Sequence, residues 1–192
     1  MILGGQMANL KVVVFCASSP HGEKRDFYLK LAYDFGVFLA EEGYTCVNGG
    51  STGMMEAVCK GAFRTGGQVE IVNLTAYPPE HKYYHSLEFG KTLPERQSLL
   101  ISKGDAFVAL PGGAGTAYEI HEVLARTTLG EIGQGKPLIC VGEEWNLLAE
   151  LLNMQAKQGL TRHNYGSYIT FVPDIETAMK VLNVRFQYSA RE

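Results

Sequence analysis

Apolar residues along the chain form short continuous runs that alternate with segments of helical periodicity. The runs predict strands buried on both faces of a parallel sheet, at residues 11–16, 44–47, 69–74, 105–108, 136–141 and 168–172. Between them, apolar residues recur three and four positions apart, which predicts helices at residues 27–42, 54–64, 94–102, 120–125, 145–157 and 173–184. This alternation predicts the α/β class, with a doubly wound parallel sheet and helices on both faces.

Two stretches fall outside this alternation. Residues 75–93 are polar, aromatic and proline-bearing, and they predict a long irregular connection, which in a compact domain is usually functional or mobile. Residues 1–9 are interpreted as a disordered leader. The remainder, residues 10–188, is predicted to be a single domain because 192 residues is close to the ordinary domain size.

Composition narrows the choice of partners. The formal net charge is −3, so no global attraction to nucleic acid or to an anionic membrane is expected. No apolar run approaches the ~20 residues that span a bilayer, and the first residues lack the layout of a signal peptide. We therefore expect a cytoplasmic protein. Its cysteines lack the close spacing of a metal or redox site and are predicted to be buried free thiols: Cys16, Cys46, Cys59 and Cys140.

The most informative stretch is the glycine-rich turn at residues 109–119, which joins a predicted strand to the start of a helix. Glycines allow a ligand to approach the backbone closely, and the first N–H groups of a helix have no partner within it. The positive end of the helix dipole lies behind them. The turn therefore predicts a phosphate-binding site formed by Gly112, Gly113, Ala114, Gly115 and Thr116.

A second glycine-rich turn occupies residues 48–53 and also joins a strand to a helix. Ligands of open α/β sheets bind beyond the carboxyl ends of the strands, where both turns are predicted to lie. We therefore expect one nucleotide site that uses both turns, with Gly49 and Gly50 contributing from the second. Neither the Walker pattern nor the dinucleotide fingerprint is present.

Two charged residues are candidates for chemistry. Glu119 lies in the first turns of the helix that follows the glycines, where a carboxylate would be held beside a bound phosphate. Thr116 and Glu119 also have the spacing of a capping box, in which the glutamate returns to the N-cap backbone. Arg96 begins a predicted helix that leads to the strand before the glycines, so it could reach the same pocket. His81, His85 and His121 form no metal-binding pattern, and no metal site is expected.

These motifs resemble the LOG ("Lonely guy") family of cytokinin riboside 5'-monophosphate phosphoribohydrolases, formerly described as possible lysine decarboxylases. Residues 111–119 match the signature PGGxGTxxE, and residues 49–55 resemble the second glycine motif. Residues 15–19, 105–110 and 136–137 are similar to further family segments. The resemblance extends from residue 11 to about residue 182.

The resemblance implies a Rossmann-like fold, a homodimer and a small-molecule nucleotide substrate. It implies hydrolysis of the N-glycosidic bond of a nucleoside 5'-monophosphate, to free base and ribose 5-phosphate, with no cofactor and no metal. Arg96 and Glu119 match the residues credited with catalysis, and Gly112 to Thr116 would hold the phosphate. Further nucleotide-binding residues carried over from the family are Ser18, Gly49, Gly50, Gln97 and Glu80.

Some positions differ from the family pattern. Gln97 replaces a lysine, Asn48 and Glu56 replace glycines, and Ala125-Arg126 replaces Thr-Trp. Two functions therefore stay open: a phosphoribohydrolase acting on AMP or on N6-modified AMP, and a non-catalytic nucleotide- or molybdenum-cofactor-binding protein. Lysine decarboxylase activity is rejected, because nothing in the sequence marks a Schiff-base lysine with its supporting site.

Overall fold

The chain folds around one parallel β-sheet. A computed structural model describes residues 10–133 and 135–189, and the predicted leader at residues 1–9 lies outside that part. The strands of the described residues are β1 (Lys11–Phe15), β2 (Thr45–Asn48), β3 (Val69–Leu74), β4 (Ser86–Gly90), β5 (Ala106–Ala109), β6 (Leu138–Val141) and β7 (Thr170–Val172). They form a seven-stranded sheet in the order β4-β3-β2-β1-β5-β6-β7, and each neighbouring pair is parallel.

Helices cover both faces of this sheet. They are α1 (Arg25–Glu41), α2 (Met54–Arg64), α3 (Leu93–Lys103), α4 (Ala114–Thr128), α5 (Asn146–Lys157) and α6 (Ile175–Ser189). Buried side chains of α1, α2 and α6 pack on one face, and those of α3, α4 and α5 pack on the other. The predicted fold class is therefore confirmed. The assignment of residues 10–188 to a single domain stays a prediction.

Strand β1 shows why the sheet is continuous and apolar. Val12 and Val14 belong to the core under α1, α2 and α6, whereas Val13 and Phe15 belong to the core under α3, α4 and α5. All four side chains are buried, because successive residues of a strand face opposite sides and both sides carry helices. All four cysteines are buried and unpaired, as predicted.

The sequence prediction missed β4, which lies inside the stretch that was predicted to be irregular. β4 is an edge strand, and Ser86, Glu88 and Phe89 are exposed. An edge strand is covered less completely than a central one, so it lacks the continuous apolar run that marks β1, β2 and β5. The long connection is therefore shorter than expected, and it ends where β4 begins.

The sheet order places a crevice above β1 and β5. The chain runs from β1 to β2 and β3 in one direction, and it later returns to the other side of β1 as β5. The loops after β1 and β5 therefore diverge at this position, which is where open α/β sheets bind ligands. No helix of the described residues is both long and apolar enough to cross a bilayer.

Candidate active site

A cavity of about 810 Å3 opens in this crevice. It lies between the loops that follow β1 and β5, and the starts of α2, α3 and α4 complete its wall. The residues that line it are Cys16, Ala17, Ser18, Ser19, Pro20, His21, Tyr28, Met54, Met55, Leu93, Arg96, Pro111, Gly112, Gly113, Ala114, Gly115, Thr116, Tyr118, Glu119 and Glu144. The glycines and Glu119 of the signature therefore line the same cavity as Arg96.

The first turn of α4 presents open backbone amides to this cavity. Gly113 is the N-cap residue, and the first helical hydrogen bond of α4 is donated by Ala117 N to Gly113 O at 3.0 Å. The N–H groups of Ala114, Gly115 and Thr116 have no hydrogen-bond acceptor among the described residues. Gly113, Ala114 and Gly115 are exposed. These amides and the helix dipole form the kind of site that binds a phosphate.

Gly112 is required for the packing of this turn. A Cβ at Gly112 would collide with the Thr116 side chain, whereas a Cβ at Gly113 or Gly115 would meet nothing within 4 Å. Thr116 is buried against the turn. Gly112 therefore serves the protein structure, and the other two glycines leave space that a ligand can use.

The capping-box interpretation of Glu119 is wrong. The helix begins at Ala114 instead of after Thr116, its N-cap is Gly113, and no side chain caps it. Glu119 Oε1 instead accepts a hydrogen bond from Arg96 Nη1 at 2.8 Å. Glu119 follows Gly115 by four residues, so it lies on the same face of α4, about 6 Å further along the axis. An anion at the first turn would therefore lie close to this carboxylate.

Glu119 and Arg96 form a buried ion pair that remains accessible from the cavity. Their side chains are only 6% and 10% exposed. Among the described residues, no group pairs with Glu119 Oε2, yet that atom is not among the fully buried polar atoms that lack a partner. Because Glu119 lines the cavity, Oε2 is the oxygen free to contact a ligand.

Burial raises the pKa of the Glu119 carboxyl above its ordinary value, and Glu122 adds to the increase. The charge and hydrogen bond of Arg96 act in the opposite direction but offset only part of the effect. A buried carboxyl loses hydration that favours its ionised form, which explains the direction. A carboxylate with a raised pKa is a stronger base, and this is the property that general-base catalysis requires.

Arg96 is held by contacts on several sides. Its Nε donates to Val72 O within β3 at 3.2 Å, and its Nη1 also donates to Gln97 Oε1 at 3.3 Å. Gly90 allows the start of α3 to approach closely, because a Cβ there would lie 2.5 Å from Arg96 Cα. A Cβ at Gly49 would collide with Arg96 Nη2. The guanidinium therefore has little freedom to move away from Glu119.

The remaining predicted binding residues lie in different places. Ser18 is exposed and lines the cavity. Gly49 lies behind Arg96, and a Cβ at Gly50 would enter the space of the Ile71 side chain. Gln97 is fully buried beside Arg96, and its Nε2 lacks a hydrogen-bond partner. Glu80 is exposed in the loop before β4 and is not among the residues that line the cavity.

Several cavity residues were not singled out from the sequence. Tyr28 and Glu144 are 116 positions apart, but the Tyr28 hydroxyl donates to Glu144 Oε1 at 2.7 Å. Met54 and Met55 begin α2, and Met55 Sδ would lie 3.1 Å from a Cβ at Gly49, close to Arg96. Met54 and Met55 close the second glycine motif at residues 49–55. No local motif marks Tyr28 or Glu144, because only the fold brings them together. Among the described residues, no cluster of histidine, cysteine, aspartate and glutamate could hold a metal ion.

The fold and the cavity define a class of α/β protein, in which a helix N-terminus faces a buried carboxylate–arginine pair. The family described as "Possible lysine decarboxylase" matches residues 55–182. The chain belongs to this family, the LOG family, as the resemblance indicated. No lysine is among the residues that line the cavity, so the site itself offers no Schiff-base lysine.

Curated relatives carry a consistent name. A cytokinin riboside 5'-monophosphate phosphoribohydrolase of Rhodococcoides fascians is 32% identical over 177 residues, which cover 89% of this chain and 88% of the relative. A probable enzyme of the same name from Oryza sativa is 30% identical over 85% of this chain and 68% of the relative. An Arabidopsis thaliana enzyme of that name is 28% identical over 90% of this chain and 76% of the relative.

Solved structures share the fold. The molybdenum cofactor carrier protein of Chlamydomonas reinhardtii aligns with a TM-score of 0.71 and 19% identity, over 94% of this chain and 99% of the other. The molybdenum cofactor binding protein of Rippkaea orientalis aligns with a TM-score of 0.69 and 18% identity, over 93% and 98% of the two chains. At these identities the likeness concerns the fold alone.

Proposed function

We propose that this protein is a phosphoribohydrolase that cleaves the N-glycosidic bond of a nucleoside 5'-monophosphate. The observation that carries the proposal is the position of the Arg96–Glu119 pair, at 2.8 Å, beside open amides of the same helix. The names of the curated relatives support this class of reaction. AMP and N6-modified AMP, such as a cytokinin riboside monophosphate, are the proposed substrates.

The phosphate would anchor the substrate. Its oxygens would accept hydrogen bonds from the N–H groups of Ala114, Gly115 and Thr116, which have no acceptor among the described residues. The ribose would then extend along α4 toward Glu119, four residues beyond Gly115. Fixing the sugar in this way places its anomeric carbon beside the carboxylate and removes much of the entropic cost of the reaction.

Glu119 would act on the attacking water. Oε1 is held by Arg96, which leaves Oε2 free to accept a proton as the water oxygen bonds to the anomeric carbon. The bond to the base nitrogen breaks, and its electron pair leaves with the base, which takes a proton from solvent. The carboxylate also stabilises the positive charge that develops on the sugar. Arg96 keeps the carboxylate in place through the hydrogen bond from its Nη1.

The base would lie against Met55 and Leu93, which line the cavity. Met55 is half-buried and close to Arg96, so it is well placed to contact a planar ring next to the scissile bond. Thioether side chains adapt to ligand shape and make favourable contacts with aromatic rings. This wall favours a purine without selecting strongly among substituents.

The alternative is a nucleotide- or molybdenum-cofactor-binding protein without turnover. The chain shares its fold with the two molybdenum cofactor proteins. In addition, Gln97 lies where the family pattern has a lysine. The buried Arg96–Glu119 pair weighs against this alternative. Burying two charges costs desolvation free energy even when they pair with each other. The pair is therefore more readily explained by a reaction than by binding alone.

The test is direct. The purified protein would be incubated with AMP and with isopentenyladenosine monophosphate, and free base and ribose 5-phosphate would be quantified by chromatography. We expect both products in equal amounts from at least one substrate. Tight binding of either nucleotide without product would support the non-catalytic alternative instead.

We further propose a cytoplasmic homodimer that binds neither nucleic acid nor membrane. Leu93 on α3, Tyr118 on α4 and Leu129 directly after α4 are exposed large side chains that a second copy could cover. The net charge of −3 gives no attraction to polyanions. Light scattering coupled to gel filtration would show a dimer, and a mass of 21.1 kDa at all concentrations would contradict it.

A further inference from the structure

A second concave site lies next to the candidate active site. It has a volume of about 710 Å3 and lies beyond the carboxyl ends of β6 and β7. Pro111 and Glu144 line both cavities, so they separate one from the other. Pro111 directly precedes the glycine-rich turn that presents the amides of α4. The boundary between the cavities is therefore at the phosphate end of the proposed site.

Glu144 is fixed at this boundary. Its Oε1 accepts the hydrogen bond from the Tyr28 hydroxyl at 2.7 Å, which links the loop after β6 to α1. The other oxygen, Oε2, lies 2.5 Å from the position that a Cβ would take at Gly142, and Pro111 Cγ lies 3.4 Å from the same position. Glycine is favoured at position 142 because its φ is +104° and because a side chain there would collide with Glu144. The carboxylate therefore lies over Gly142 and beside Pro111.

Acidic and basic side chains both line the two cavities, and most of the acidic ones are paired. The acidic residues that line the two cavities are Glu119, Glu143 and Glu144, and the basic ones are His21, Lys24 and Arg96. Lys24 pairs with Glu143 at 3.5 Å, and Arg96 pairs with Glu119. Glu144 contacts the Tyr28 hydroxyl. That hydroxyl is neutral, since its hydrogen bond to Glu144 raises the pKa of Tyr28 to about 12. The negative charge of Glu144 therefore has no direct ionic partner among the described residues.

We infer that the Tyr28–Glu144 bridge is a specificity determinant that restricts the site to nucleoside monophosphates. This inference rests on the proposed function, since it takes the amides of α4 as the phosphate site. A second phosphate that extends past Pro111 reaches Glu144, which lines the same cavity. There it would meet a carboxylate held in place by Tyr28, and the like charges would repel. A monophosphate ends before this boundary and avoids the repulsion.

The test compares AMP with ADP by isothermal titration calorimetry, in the wild type and in Glu144→Gln. The amide can still accept the hydrogen bond from Tyr28, but it carries no charge. We expect the wild type to bind AMP at least about tenfold more tightly than ADP. The ratio of the ADP to the AMP dissociation constant should decrease by about five- to tenfold in Glu144→Gln. Glu150→Gln, an exposed residue on α5 outside both cavities, changes the net charge equally and should leave the ratio unaltered.

The inference is overturned if the ratio is the same in the wild type and in Glu144→Gln, or if Glu150→Gln narrows it equally. It also falls if neither nucleotide binds. Binding is measured separately from turnover, so the two claims can be separated. Nucleotide binding with the expected change in ratio, but without product from AMP, would refute the proposed hydrolysis and leave the specificity role intact.

Discussion

Residues 48–53 and residues 111–116 both join a buried strand to a helix through a glycine-rich turn, but the space beside their glycines differs. In the first turn, a Cβ at Gly49 would collide with Arg96, and a Cβ at Gly50 would collide with the Ile71 side chain. In the second turn, the space beside Gly113 and Gly115 is empty. The first turn therefore serves as a wall behind the arginine, whereas the second faces the cavity.

The backbone amides show the same difference. Gly50 N donates to Asn48 Oδ1 at 2.6 Å, and Met54 N, at the start of α2, donates to Ala17 O at 3.1 Å. Asn48 also donates to Met55 O, so its side chain fixes the turn to the start of α2. The corresponding first amide of α4, Ala114 N, has no acceptor among the described residues. Similar glycine patterns can thus serve ligand binding or protein packing, and the neighbouring side chains decide which.

The largest expected effect concerns Glu119, the carboxylate that follows the turn at residues 111–116. Glu119→Gln keeps the size of the side chain and removes its capacity to accept a proton, so kcat should fall by about 100- to 10,000-fold. Nucleotide affinity should change little, because the amides of α4 carry the binding. Steady-state kinetics and calorimetry measure the two quantities. A variant with near-normal kcat would show that Glu119 has a structural role only.

The turn at residues 48–53 is tested by Gly49→Ala. The added methyl group would displace the Arg96 guanidinium, and a displacement of about 1 Å can reduce turnover by about 100-fold. The effect should appear in kcat rather than in nucleotide affinity, since Gly49 does not line the cavity.

Gly133→Ala is the matched control for this experiment. It introduces the same methyl group on an exposed loop, where the nearest atom is Lys136 Cε at 4.0 Å. If Gly49→Ala retained the wild-type kcat, the first turn would have no part in positioning the arginine.

The turn at residues 111–116 is tested by Gly115→Ala. Nothing lies within 4 Å of the added Cβ, so folding should be unharmed, and alanine in a helix should stabilise the protein by up to about 1 kcal/mol. The methyl group would nevertheless occupy space beside the amides and weaken AMP binding by roughly tenfold. Thermal unfolding and calorimetry check both expectations. Unchanged affinity would place the phosphate elsewhere.

The smallest expected effect is a shift in pH dependence. Because burial raises the pKa of Glu119, kcat should decrease on the acidic side with a midpoint above the ordinary value of 4.5. The folded protein also binds this proton more tightly than the unfolded chain does. The stability that results is fully present below pH 4.5 and is lost as the pH rises through the folded pKa.

Chemical denaturation from pH 4 to 8 would measure that loss, and Glu119→Gln should abolish this part of the pH dependence. A midpoint of kcat at or below the ordinary carboxyl value would contradict the role of burial at this site.

The sequence predicted most of the fold because its central strands are buried on both sides. Continuous apolar runs marked β1, β3 and β5, and the predicted strand–helix order held around them. β4 lacked such a run, because an edge strand exposes Ser86, Glu88 and Phe89. Residues 111–119 were informative for a similar reason, since both the turn and the first helical turn are local features.

Long-range pairs could not be predicted from local pattern. The sequence predicted that Arg96 and Glu119, 23 positions apart, share one pocket, but it could not show that they form a direct ion pair at 2.8 Å. The contact between Tyr28 and Glu144, which belong to α1 and to the loop after β6, had no local signal either. Nor could the sequence show that Gly49 is packed against Arg96 while Gly115 faces open space.

The claim at the centre of this account is that amides of α4 bind a monophosphate and thereby place its sugar beside Glu119. A crystal structure of Glu119→Gln with AMP tests it most directly, because the slow variant should retain intact substrate. We expect phosphate oxygens at about 3 Å from the nitrogens of Ala114, Gly115 and Thr116, with the anomeric carbon facing residue 119. A phosphate bound away from these amides, or a ribose directed away from residue 119, would contradict the account.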